Sequence, residues 1–160
     1  MWEPLSARCF VLKSRISWDQ YFMEIAKTAS KRASCFRGKR VGAVLVKEKQ
    51  ILATGYNGAP KGVKNCLELN YCIRDKNRLE SGERLEFCRA THAEQNSIAQ
   101  AAYQGVSTKG ATLYTTRFPC VLCSKLLINA GVKEIVFLEE EKDDLSKGIL
   151  REAGVKVRKL

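Results

Sequence analysis

Apolar residues recur on one face of a 3.6-residue repeat soon after Ser17, at Phe22, Ile25, Ala26, Ala29 and Ala33, which predicts a helix running to about Ser34. Ser17-Trp18-Asp19-Gln20 supplies a capping-box pattern at its start. Two short apolar runs follow, Val41 to Val46 and Ile51 to Tyr56, separated by the polar Lys47-Glu48-Lys49-Gln50. They predict two antiparallel strands joined by a tight loop. From Asn57 to about Ala90 the period fades, and Gly58, Pro60, Gly62, Asn65 and Gly82 punctuate the chain. An irregular stretch of that length is uncommon unless it is functional or held by something. Regular patterning then returns, with a helix from about Thr91 to Gln104 closed by Gly105 and a strand from Ala111 to Thr115. A helix from Cys120 to Ala130 closed by Gly131 and a strand from Glu134 to Leu138 come next. A helix from Asp144 to Ala153, with Gly154 after it, leads to a last strand at Val155 to Arg158. Residues 1–16 carry no clear period and read as an arm or a short edge strand.

Strand, helix, strand, helix, strand in the second half implies right-handed crossovers and parallel neighbours, hence an α/β sheet covered by helices on both faces. With 160 residues, 45% of them apolar, only three prolines and no repeat or linker, the chain is expected to form one domain. That domain spans residues 17–160 and carries an insertion at about 57–90. The longest apolar run falls far short of the ~20 residues of a membrane-spanning helix. The first residues lack the basic-then-apolar pattern of a secretory signal, so a cytoplasmic protein is expected.

Charge and cysteine content narrow the chemistry. Twenty-eight Lys and Arg against 17 Asp and Glu give a net charge of +11. That excess points to anionic partners such as nucleotides, nucleic acid or acidic proteins, and a solubilising surface charge explains it equally well. Seven cysteines where disulfides do not persist make metal binding the leading explanation, and His92 is the one histidine able to join them.

His92-Ala93-Glu94 opens one expected helix and Pro119-Cys120-Val121-Leu122-Cys123 the next, with Pro119 expected at a first helical position. Cys120 and Cys123, three apart on a helical face, can chelate one ion, and the helix N-terminus favours their thiolate forms. One imidazole and two thiolates make three protein ligands, the number a catalytic zinc takes together with a water. The bound water then becomes a hydroxide source near neutral pH. Glu94, in the same first turn as His92, can reach that water as a proton carrier without being a ligand. The structural alternative is a folding zinc with a fourth ligand recruited from elsewhere.

His92-Ala93-Glu94-Gln95-Asn96 together with Thr116-Arg117-Phe118-Pro119-Cys120-Val121-Leu122-Cys123 resembles the cytidine and deoxycytidylate deaminase superfamily. Gly55-Tyr56-Asn57-Gly58-Ala59-Pro60 is similar to its deoxycytidylate (dCMP) deaminase branch, which includes bacterial competence-operon proteins. The resemblance implies a cytidine-deaminase-like three-layer α/β/α fold, with a mixed five-stranded sheet whose last two strands are parallel. It further implies a zinc-dependent deaminase: hydroxide attacks C4 of the cytosine ring, Glu94 protonates N3 and then the departing amine, and dCMP becomes dUMP, the thymidylate precursor. Asn57 and Ala93 become expected substrate contacts, although Asn57-Gly58 alone reads as a turn. For the 5′-phosphate the sequence offers Arg37, Lys39, Arg40, Lys61, Lys64 and Arg89 without choosing among them.

The resemblance also implies a second, structural zinc held by Cys35, Cys66, Cys72 and Cys88, against which stand four buried free thiols. It implies a homo-oligomer, a hexamer, activated by dCTP with Mg²⁺ and inhibited by dTTP. The acidic run Glu139 to Asp144 replaces an aromatic residue expected near substrate and reads as a solvated helix entrance. Two rival functions remain open at this point: a deaminase acting on bases in tRNA or single-stranded nucleic acid, favoured by the charge, and a non-catalytic DNA-uptake factor.

Overall fold

The computed structural model describes residues 15–80 and 83–160. The arm expected at residues 1–16 therefore lies almost wholly outside the described residues. Helix α1 (Trp18–Ser30) starts at Ser17, whose hydroxyl accepts from the Gln20 N–H while the Gln20 side chain accepts from the Ser17 N–H. The two strands expected next are β1 (Gly42–Lys47) and β2 (Gln50–Tyr56), an antiparallel pair. After the irregular stretch come α4 (Ala93–Tyr103), β3 (Thr112–Arg117), α5 (Val121–Asn129), β4 (Glu134–Glu139), α6 (Asp144–Glu152) and β5 (Lys156–Lys159).

The irregular stretch contains two single-turn helices, α2 (Cys66–Leu69) and α3 (Ile73–Lys76), and a 3₁₀ turn at Leu85–Phe87. One turn is too short to generate a hydrophobic period, which is why the sequence pattern misses them. The Asn65 side chain nevertheless caps α2 in a box with Glu68.

The five strands lie in the order β2-β1-β3-β4-β5. β1 pairs antiparallel with both β2 and β3, and β3-β4-β5 are parallel, so the last two strands run as expected. Alternate strand residues feed two cores. Val44, Val46, Tyr114 and Val136 pack under α1 through Phe22, Met23 and Ala26. Ala43, Leu45, Leu113, Ile135 and Phe137 pack on the other face with Ala93 and Ala101 of α4, Leu127 of α5 and Leu150 of α6. Burial on both faces explains why Val41 to Val46 reads as a continuous apolar run instead of an alternating one. Asp19 fastens α1 to the sheet, accepting from the Tyr114 hydroxyl and from Arg158, each at 2.8 Å. No helix among the described residues is long and apolar enough to cross a membrane.

Candidate metal centre

The N-termini of α4 and α5 bring three ligand atoms together. His92 is the N-cap of α4, Cys120 the N-cap of α5, and Cys123 lies in the first turn of α5. Pro119 thus precedes the cap instead of occupying the first helical position expected for it, because the cap itself is the first cysteine. His92 Nδ1 lies 3.5 Å from Cys120 Sγ and 3.4 Å from Cys123 Sγ. A tetrahedral zinc with ordinary bond lengths would hold nitrogen and sulfur roughly 3.6 Å apart. The three atoms all lie within 4.8 Å of one another, and among the described residues no other set of three or more His, Cys, Asp or Glu does so. Their spacing and donor types fit zinc, with no fourth protein ligand in the set.

As protein groups alone these side chains compete for protons. The hydrogen bond from Cys123, aided by His92, pulls the Cys120 thiol down to about 4. Cys123 is pushed up by that same bond and by burial, and the bond to Cys120 raises His92. A divalent cation reverses the upward push on Cys123, since coordinating thiols lose their protons outright. Burial holds the Glu94 carboxyl above the ordinary carboxylate range, and only 4% of the residue is exposed. Its Oε1 accepts from the Thr115 hydroxyl at 3.1 Å, and its Oε2 lies 3.6 Å from Cys123 Sγ.

Local packing fixes where these groups sit. β2 runs so close to α4 that a Cβ on Gly55 would lie 2.1 Å from the Ala93 carbonyl oxygen. The next residues continue the seam: the Tyr56 carbonyl accepts from Asn96 Nδ2 at 2.7 Å, and Gly58 forms an isolated antiparallel bridge with Thr91, next to His92. The glycine-rich motif at 55–60 therefore clamps the start of α4. At the start of α5, Asp143 does an equivalent job. Its Oδ2 accepts from the Val121 N–H at 2.9 Å while its Oδ1 accepts from the Ser146 N–H at 2.8 Å, so one carboxylate caps both α5 and α6. Ser146 Oγ also donates to the Pro119 carbonyl at 2.8 Å.

A cavity of about 260 Å³ opens beside the three ligands, and His92, Ala93, Glu94, Cys120, Asn57 and Phe118 stand in its wall. The Asn57 side chain is engaged with the backbone: Oδ1 accepts from the Val41 N–H at 2.7 Å and Nδ2 donates to the Lys39 carbonyl at 2.8 Å. Of the cations considered for a phosphate, Arg37 and Lys39 line the cavity; Arg40, Lys61, Lys64 and Arg89 do not. Arg74, Arg117 and Lys142 line it and were not singled out by the sequence. The acidic run is built into the site instead of simply solvated. Arg117 pairs with Glu139 and Glu141, each at 2.8 Å, and Asp143 is the shared cap.

Cys35, Cys72 and Cys88 line the same cavity, and Cys66 is buried. Burial chiefly, with Cys72, Cys88 and Cys35 adding to it, raises the Cys66 thiol above its ordinary value. No three of them come within ligating distance of one another among the described residues.

Residues 16–139 match the family model of the cytidine and deoxycytidylate deaminase zinc-binding region. The chain belongs to this family. It is 38% identical over 161 aligned positions to the deoxycytidylate deaminase of Schizosaccharomyces pombe, covering 99% of this chain and 49% of that protein. It is 40% identical to the deoxycytidylate deaminase of Mycobacterium phage D29, covering 79% of this chain and 98% of the phage protein. Among solved structures, dCMP deaminase from the cyanophage S-TIM5 in complex with dCMP and dUMP superposes with a TM-score of 0.75 at 30% identity, covering 92% of this chain and 99% of the other. The chain spans about half the length of the yeast relatives it matches.

Proposed function

We propose that this chain hydrolyses dCMP to dUMP and ammonia. The observation that carries the reading is the juxtaposition of a three-ligand, His-Cys-Cys set with a buried, non-ligating carboxylate at the wall of one cavity. The family membership and the dCMP-acting relatives support the choice of substrate. His92, Cys120 and Cys123 would hold the zinc, which when bound would supply a Lewis acid that makes hydroxide available near neutral pH.

Glu94 is the proton carrier. Thr115 fixes Oε1, leaving Oε2 to carry two protons in turn: one from the attacking water to N3 of the cytosine ring, where it stays in the product, and a second from the hydroxyl newly bound to C4 to the departing amine. A C4–O bond forms, the C4–N bond breaks and ammonia leaves. Burial of Glu94 keeps bulk water from competing for that proton. Ala93 and Asn57 shape the wall against which the ring lies, and Asn57 does so by holding the Lys39–Val41 backbone in place.

A second zinc on Cys35, Cys66, Cys72 and Cys88 is part of the proposal; Cys35, Cys72 and Cys88 line one cavity and Cys66 is buried. Binding it requires the thiols to close on a common point, and two zincs per chain by metal analysis is the expected count. Assembly into a hexamer, activation by dCTP with Mg²⁺ and inhibition by dTTP rest on the family resemblance alone. The test is ammonia release over dCMP, CMP, deoxycytidine, dCTP and a tRNA, with the small-molecule assays repeated with dCTP and Mg²⁺. Activity confined to dCMP is expected. Silence on every mononucleotide with zinc bound overturns the reading, and salt-steep activity on tRNA would move it to a polymeric substrate.

A further inference from the structure

The cations of the cavity wall are spent in different ways. Arg117 is neutralised by Glu139 and Glu141. Arg37 is held by Asp75 and donates to the Leu79 carbonyl at 2.8 Å. Arg74, from α3, is only 8% exposed, and among the described residues no carboxylate lies within ion-pair distance of it. Its Nη2 donates to the carbonyls of Glu80 and Glu83, which offer dipoles but no charge. Nε is a buried N–H without a hydrogen-bond partner. Buried guanidinium groups are ordinarily paired, and a buried unpartnered donor in a native fold calls for an explanation.

We propose that Arg74 is the anion-binding residue of this cavity and takes the phosphomonoester of the nucleotide. The proposal rests on the mononucleotide reading above and assigns the phosphate-reading role within it. The two carbonyls fix the plane of the guanidinium, so its remaining N–H donors are oriented before the ligand arrives, and a phosphate dianion supplies an acceptor and a counter-charge. The placement is consistent with the shape of the wall: α3 stands on the stretch between the glycine-rich motif and His92, and Arg74 reaches the cavity that Glu94 also lines. A nucleoside without the phosphate leaves Arg74 as it is, so the residue separates nucleotides from nucleosides.

The test measures calorimetric binding of dUMP and deoxyuridine to the zinc-loaded protein, which differ by the phosphate alone, in the unmodified chain, in Arg74→Gln and in Arg74→Lys. Arg74→Gln is expected to weaken dUMP by about tenfold or more, the worth of a charge-assisted hydrogen bond, and to leave deoxyuridine within about twofold. Arg74→Lys should recover part of the loss. Equal losses for both ligands, or unchanged dUMP binding, overturn the proposal. Should Arg74→Gln fail to fold, the Nε–H resonance that disappears in Arg74→Lys is followed in the unmodified chain. A shift on adding inorganic phosphate but not deoxyuridine supports the proposal, and no shift refutes it. Failure of the deamination reading shows separately, as absence of ammonia from dCMP while the dUMP and deoxyuridine affinities still differ.

Discussion

Gly55→Ala tests how the sheet positions the metal centre. The added Cβ would sit 2.1 Å from the Ala93 carbonyl oxygen, 2.6 Å from the Ser97 nitrogen and 3.1 Å from Ser97 Cβ. The first two are backbone atoms of α4, so no rotamer change relieves them. Moving the carbonyl from 2.1 Å to an ordinary contact at 3.4 Å opens the seam between β2 and α4 by about 1.3 Å. The helix cannot retreat freely, because Asn96 is tied to the Tyr56 carbonyl and Thr91 to Gly58. His92 and Glu94, at the start of α4, move with it. Zinc sites tolerate ligand displacements of about 0.2 Å, and a 1 Å misplacement of reacting groups costs about 100-fold in rate. Overpacking of this kind costs about 1–3 kcal/mol, which for a chain of this size is roughly 3–10 °C in Tm. The expected result is substoichiometric zinc by metal analysis, turnover of dCMP down by about 100-fold or more, and a Tm lowered within that range. Gly148→Ala is the control, since its Cβ would meet nothing within 4 Å and it lies inside α6. Full zinc occupancy with unchanged turnover in Gly55→Ala would refute the account of the seam.

Three further outcomes are expected. Glu94→Gln should keep full zinc while losing turnover by about 100-fold to 10⁴-fold, whereas Cys120→Ala should lose the metal; metal analysis beside an ammonia assay separates the two. Asp143→Ala removes the carboxylate that caps both α5 and α6, and should cost about 1–2 kcal/mol by denaturant unfolding together with weaker zinc retention in a chelator competition. Asp19, held below the usual carboxylate range chiefly by its hydrogen bond from Arg158, stabilises the fold fully above about pH 4, and that contribution is lost as pH falls through its lowered folded value. Asp19→Asn should therefore lower Tm at pH 7 and shrink the difference from the unmodified chain toward pH 2, as read by thermal melts across that range.

The metal centre was legible because its members lie in two compact motifs, each fixed by a helix start, and the chain has only one histidine to offer. The strand and helix order was legible for a related reason: apart from the four-residue β5, which follows a helix closed by Gly154, the elements outside the irregular stretch run to six to thirteen residues and repeat their period often enough to register. Arg74 and Asp143 escaped because their roles depend on partners that no local pattern encodes. Arg74 sits in a single-turn helix and is defined by an absent acceptor, and Asp143 looks like an ordinary N-cap until Val121 of a different helix is seen on its second oxygen. Asn57-Gly58 reads as a turn, but nothing in the sequence marks the role of Gly55, which is required by backbone proximity across the β2–α4 seam. Such closeness between elements leaves no trace in periodicity.

His92 and Cys120 are 28 positions apart, so an ion shared between them closes that whole segment, α4 and β3 included, into a loop. Treated as a cross-link, a closure of this length removes about 3.6 kcal/mol of entropy from the unfolded chain. The same ion that serves chemistry would then act as a staple on folding. Chelation would unfasten the ring as well as empty the site, so loss of activity and shortened lifetime would arrive together, and the chain's durability would track how well its surroundings supply zinc.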